Sequence, residues 1–480
     1  MLRHACFSWS FIVLTLTGGA LAACSTTLEV AGSSSGDGSS GGSSGDGSSG
    51  SSGTSGTSGT SGASGTSGTS GSSGTSGASG TSGTSGTSGT VTYPDFGKSK
   101  GDDPCVPTGM PGAMAWASAG RCAGRTGRSP IVSAQSGSIS KSRVLTQGSA
   151  SLAIGGEPTY GPDGTIYVNQ GYLSALDPVT LATKWSLGVD YTWPVVIGKD
   201  GTLFQAGGGT NTDLRALDPA NGAEKWTRDL LTYLRPPVVL PDGNLAMVLS
   251  GTGKLDVKLI DATTGADIDT IPVPDSGIHQ PSSIAGSSDG TIYFYGATGK
   301  LFAISTTTRS VKWESTMNAL SVAYDEKAEK LFVLAAGGTN SSLKVGVVDT
   351  ATGVATFNPP ISGYSPSQIA LGEDGWVYFT IQGGTLVGYH TKTSTKWEAT
   401  TGAFQTVPSV GGDGTIYVGA HKSNGTYAQA FTKTGTLKWD KLMSTSLKNT
   451  TRVGASTSIA PSGHLHVLFA VNDNLFQLGP

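Results

Sequence analysis

Two histidines separated by one residue, His464 and His466, are the most closely spaced histidines in the chain. On a strand, residues i and i+2 share a face, so both rings would point the same way. A zinc or copper site needs at least a third donor, and the sequence around the pair supplies none. Two polar residues on a half-exposed strand account for the pattern equally well, and no metal site is assigned. Asp-Gly pairs recur at 163–164, 200–201, 242–243, 289–290, 374–375 and 413–414. A calcium loop gathers several oxygen ligands within about a dozen residues, whereas one Asp per turn is explained by the turn itself. H-E-x-x-H, phosphate-loop and C-x-x-C patterns are absent. No catalytic residue is therefore assigned, and no cofactor is expected.

The elements that hold these residues form a repeat. A cassette of the form DG-T-[IL]-[YF]-V is followed by A-L-D-x-x-[TN]-G-x-x-K-W; its clearest copies are DGTIYV with ALDPVTLATKW and DGTLFQ with ALDPANGAEKW. Eight positions precede the apolar run of each copy: Gly164, Gly201, Gly243, Gly290, Glu329, Gly375, Gly414 and Gly463. Their mean spacing of about 43 residues is that of a four-stranded propeller blade. Asp-Gly is a hairpin signal, because glycine accepts positive φ. The runs TIYV, TIYFY and WVYFT suit a pleated, half-buried surface, and Asp-Pro or Asn-Gly then turns the chain again. Trp185, Trp226, Trp313, Trp397 and Trp439 close five units, each ring expected to pack between neighbouring blades. Asp269 and Phe357 take that slot in units three and five, which should be looser or closed differently.

The cassette resembles the PQQ-like β-propeller repeat, A-x-D-x-x-T-G-x-x-x-W, over residues 142–480. The resemblance implies an all-β propeller of four-stranded blades. Eight anchors predict eight blades, and seven stays open because the fifth unit lacks Asp-Gly. The last anchor is followed by only two strands, so closure needs an outer strand from elsewhere; SRVLTQ (142–147) is the natural donor. Catalytic members of the family, the quinoprotein dehydrogenases, carry adjacent cysteines, a Ca²⁺ site and long insertions around the cofactor. This chain has no Cys-Cys pair and little room for insertions. It is more similar to the non-catalytic lipoprotein of the outer-membrane β-barrel assembly machine, from which it departs by a long tether and a cysteine-bearing lead.

In a propeller, the loops entering each innermost strand gather around the axis on one face. Here they carry Tyr191, Trp193, Tyr233, Arg235, His279, Gln280, Asn318, Tyr364, Phe404, Gln405 and Arg452. Aromatic and Arg side chains in such loops favour recognition, although Trp193 and Phe404 suit blade packing equally well.

The N-terminus gives an address. Residues 1–23 read as a lipoprotein signal peptide: Arg3 and His4, the apolar run FIVLTLTGGALAA, then Leu21-Ala22-Ala23-Cys24. The last four residues resemble a bacterial lipobox, so Cys24 is the expected lipidation site, with palmitate among its acyl chains. Residues 24–90 hold this cysteine and a Gly/Ser/Thr tether; at about 5–6 Å times the square root of its length, residues 32–90 span roughly 40–45 Å. Residues 91–141 read as an irregular cap in which Cys105 and Cys122 pair as a disulfide, as an exported protein with two remaining cysteines favours. The formal net charge of −3 is spread without a basic patch, which excludes nucleic acid as the expected partner. The expectation is a monomeric, outer-membrane, lipid-anchored binding or scaffold module with a protein or glycan partner, on the periplasmic face or the cell surface. The alternatives are an outer-membrane protein assembly factor and a PQQ-dependent oxidoreductase.

Overall fold

The computed structural model describes residues 117–118, 120–145, 156–170, 172–188, 193–207, 212–232, 235–250, 254–275, 284–338, 341–402, 406–446, 454–470 and 473–480. Within them the chain is all-β. Eight antiparallel sheets follow one another, seven of them running outward in chain order from an innermost strand. Blade 1 is typical, with strands Thr159–Tyr160, Ile166–Asn169, Tyr172–Leu176 and Thr183–Gly188. Its second and third strands are buried almost throughout, while the outermost alternates between exposed and half-buried positions. Apolar runs therefore lie inside the ring and alternating sequences at its rim, as burial on two faces and on one face demands.

Eight blades settle the count that the fifth unit left open. Glu329, which replaces glycine there, holds φ 50° in the same kind of turn as Gly290 at φ 79°. The reversal is thus made without Asp-Gly, at the cost of placing a side chain in the left-handed region. The outer strand of blade 5 is also broken. Ala355–Phe357 and Ile361–Ser362 pair separately with Ser342–Val348, and Pro359 and Pro360, which have no N–H for a ladder, fall between them.

The ring closes with a strand from upstream. Ile139–Val144 pairs with Asn474–Leu478 as the outermost strand of blade 8. It begins three residues earlier than the sequence suggests, because the contact continues through Ser138, whose carbonyl accepts the Gly479 N–H at 3.0 Å.

The junctions between blades share one device. Trp185 Nε1 donates to Pro219 O of the next blade at 2.9 Å, Trp226 to Ala262 O at 3.0 Å, Trp313 to Thr350 O at 2.8 Å and Trp397 to Lys433 O at 2.9 Å. Each ring lies against a glycine of that same turn; a Cβ on Gly353 would stand 2.6 Å from Trp313. Trp439 makes the equivalent contact with Ala134 O at 3.3 Å and packs on Gly137, both supplied by the upstream segment. Units three and five are closed differently, as their sequences require. Asp269 pairs with Arg309 of blade 4 at 3.2 Å, and Arg309, at φ 56°, stands in the glycine position of its turn. At the next exception Asn358 Nδ2, beside Phe357, donates to Thr391 O at 2.9 Å in place of an indole. Between blades 8 and 1, Gln477 Nε2 reaches Pro178 O at 3.2 Å and Arg143 reaches Leu181 O at 2.8 Å.

Candidate functional site

The innermost strands would leave their axial edges unpaired, and the upstream segment occupies them. Ile197 N–H donates to Ala117 O in blade 2, Gly286 to Ala123 O in blade 4, Tyr324 to Gly124 O in blade 5 and Leu371 to Thr126 O in blade 6. In blade 7, Val410 N–H donates to Gly127 O and its carbonyl accepts the Ser129 N–H. Residues 117–118 and 120–131 thus form a strap bonded to blades 2, 4, 5, 6 and 7, which satisfies backbone groups that burial would otherwise leave costly. Glycines make the approach feasible: a Cβ on Gly124 would lie 2.4 Å from Tyr324 O.

Each strap glycine precedes an arginine: Gly120-Arg121, Gly124-Arg125 and Gly127-Arg128. All three arginines are buried, and Arg121 and Arg125 hold φ of 79° and 55°. Arg125 Nε donates to Ile284 O at 2.7 Å and Arg128 pairs with Glu373 at 3.0 Å. Burial pulls the Arg125 guanidinium down to about 10, opposed by the nearby Glu157 carboxylate and reinforced by Arg235. Glu157 is itself buried and accepts the Gly120 N–H at 2.9 Å. The three Gly-Arg doublets were the legible signal for this cluster, and a search for catalytic motifs passes over them.

Two of the expected recognition residues converge here. The Arg235 guanidinium carbon lies 4.3 Å from the centre of the Trp193 ring, a stacking distance for a cation on an aromatic face. Trp193 is anchored to blade 1 through its carbonyl, which accepts from Asn169 Nδ2 at 3.0 Å. Its indole N–H is buried with no hydrogen-bond partner among the described residues. The side-chain amide of Gln205 is likewise buried and unmatched among them. Asn318 and Tyr364 lie on inter-blade loops but are exposed, the first holding φ 51°. Tyr191, Tyr233, His279, Gln280, Phe404, Gln405 and Arg452 lie outside the described residues, as do Cys24, Cys105 and the segments 1–23 and 24–90. Cys122 is disulfide-bonded.

The two histidines part company. His464 lies in a turn, its Nδ1 2.8 Å from Ser462 Oγ. His466 is buried in blade 8, its Nδ1 2.8 Å from Tyr160 Oη, which also meets Ser458 Oγ at 2.7 Å. Burial holds the His466 imidazole neutral, down to about 3. Among the described residues no group of three His, Cys, Asp or Glu side chains converges on a metal-sized site.

Solved structures share this architecture. BamB from Moraxella catarrhalis superposes with a TM-score of 0.50 at 18% identity, covering 71% of this chain and 96% of that one. The quinohemoprotein alcohol dehydrogenase from Comamonas testosteroni gives 0.55 at 13%, covering 75% and 80%. The fold is the PQQ-like β-propeller. A europium-containing methanol dehydrogenase gives 0.51 at 15%, covering 74% and 89%. No protein-family model and no curated protein sequence matches the chain. At such identities the likeness establishes the PQQ-like propeller fold alone. The strap with its buried arginines lies along the axial edges of five blades.

Proposed function

We propose that this chain is a non-catalytic binding propeller of the cell envelope, anchored by lipid at Cys24 and held away from the membrane by its tether. The observation that carries the reading is the Trp193–Arg235 pair, a stacked aromatic and cation from two inter-blade loops with a buried indole N–H that has no hydrogen-bond partner among the described residues. Trp and Arg dominate the residues that contribute most to protein interfaces, and a buried donor without an acceptor is costly until a ligand supplies one. The strap reinforces the face, since Arg125 and Glu157 are held by backbone hydrogen bonds before any partner arrives. Such preorganisation lowers the cost of binding.

A second reading, an outer-membrane protein assembly factor, is supported by the likeness to BamB, of which nearly the whole chain is covered. In both readings the protein sits at the outer membrane; the first takes a protein or glycan partner, the second takes proteins. Cross-linking the full-length protein in its native envelope, followed by mass spectrometry, separates them. Recovery of barrel-assembly proteins favours the second reading. Recovery of other surface proteins favours a displayed binding module. Dye reduction that depends on added PQQ would refute both.

A further inference from the structure

Between blades 3 and 4 the common junction is missing on both sides of the contact. Across the strands of the other Trp-bearing blades, a large aromatic, a small residue and the tryptophan lie side by side: Tyr167–Ala175–Trp185, Phe204–Ala216–Trp226, Tyr293–Ala303–Trp313, Tyr378–Gly388–Trp397 and Tyr417–Ala430–Trp439. The aromatic and tryptophan rings sit about 6 Å apart in each. In blade 3 the same three positions hold Ala246, Leu259 and Asp269. Two aromatic rings are lost and only Leu259 is gained.

A cleft of about 420 Å³ lies there, walled by Leu240, Leu259 and Ile268 from blade 3 and by Gly290, Thr306 and Arg309 from blade 4. It opens among the Asp-Gly turns, at the opposite end of the innermost strands from the loops that carry Trp193 and Arg235. Thr306 directly follows Ser305, which corresponds to Asp218 and Asp349 in the neighbouring turns. Its carbonyl thus stands where Pro219 O and Thr350 O accept an indole N–H. Arg309 lines the opposite side, 54% exposed and able to lie over a ring.

We propose that this cleft binds an indole ring, that of a tryptophan side chain presented by a partner polypeptide. The molecule itself supplies the template, since four of its own junctions seat an indole in the corresponding place with the N–H on the corresponding turn carbonyl, and a fifth seats Trp439 on Ala134 O of the upstream segment. At each of those junctions the ring arrives on a polypeptide backbone. The apolar wall of Leu259 and Ile268 takes one face of the ring, and Thr306 O takes its N–H. Asp242 and Asp289 at the margin disfavour a ligand carrying its own carboxylate.

The test uses the full-length protein with N-acetyltryptophanamide as a neutral probe and free indole beside it, followed by methyl NMR. The expected result is saturable binding near about 1 mM, with shifts confined to the methyls of Leu240, Leu259 and Ile268. The N1-methylated probe should bind about fivefold more weakly, the loss of one hydrogen bond. Asp269→Trp should fill the cleft and abolish binding. Binding of free indole without N-acetyltryptophanamide would overturn the polypeptide source. Absence of shifts with either probe at about 10 mM, equal affinity of the methylated probe, or undiminished binding to D269W would overturn the site. Should D269W fail to fold, the methyl shifts and the N1-methyl comparison on the unaltered protein decide the matter.

Discussion

Removal of one indole tests how the ring is held. Trp313 is 8% exposed, donates to Thr350 O at 2.8 Å and covers Gly353. Its ring lies 6.0 Å from Tyr293, which stacks at 5.4 Å on Tyr324 of blade 5, so the substitution opens the junction from both sides. Trp313→Ala should cost about 3–5 kcal/mol, the range for a buried tryptophan with its cavity. About 1 kcal/mol of that is the lost hydrogen bond. A ring of about 340 residues at ~2.1 cal/mol/K per residue has an unfolding entropy near 0.7 kcal/mol/K, so Tm should fall by about 4–7 °C. The contrast is Asp269→Ala. Its partner Arg309 is 54% exposed and Asp269 34%, so screening holds the loss below about 1 kcal/mol. Equilibrium urea unfolding of both variants, monitored by far-ultraviolet circular dichroism, measures the difference. A gap of about 2 kcal/mol or more is expected. Equal losses would refute the claim that the tryptophan junctions carry the closure.

Other outcomes follow from the same geometry. His466 is held neutral by burial down to about 3. Between the ordinary histidine range and that value the unfolded chain takes up a proton that the folded chain refuses. Stability is therefore full above about pH 6.5 and falls as pH drops, by about 1.4 kcal/mol per unit; urea titrations from pH 7 to 4 should show the slope, and His466→Asn should flatten it. Deleting the chain through residue 144 removes the outermost strand of blade 8, the acceptor of Trp439 and the strap. That variant exposes a sheet edge and should aggregate, whereas deletion through residue 90 should leave unfolding unchanged by calorimetry. We propose that Cys105 is the partner of disulfide-bonded Cys122; such a bond closes a loop of about 17 residues and its reduction should cost about 3 kcal/mol; peptide mapping identifies the pair and calorimetry with reductant reads the loss.

The sequence made the ring legible because one turn chemistry is copied. All eight anchors hold positive φ, Glu329 included, so the spacing alone located the hairpins. The tryptophans were equally legible, since a large flat ring beside a turn glycine has one efficient place to go. The compensation at Asp269 was not. It depends on Arg309, 40 residues downstream in another blade, and becomes visible only when turns of adjacent blades are laid side by side. The strap was harder still. It has no periodicity of its own, because its conformation is dictated by the edges it covers. Of the candidate site, Trp193 and Arg235 were found from residue type and loop position. Arg125 and Glu157 were missed because buried charges fixed by backbone partners leave no local pattern beyond Gly-Arg.

The central claim is that the face bearing Trp193 and Arg235 binds a partner. It is tested most directly by repeating the native-envelope cross-linking with full-length Trp193→Ala/Arg235→Ala beside the unaltered protein, after confirming that their melting temperatures agree. The account predicts that the cross-linked partner is recovered with the unaltered protein and lost with the variant. Recovery of the same partner in the same yield from both would contradict it.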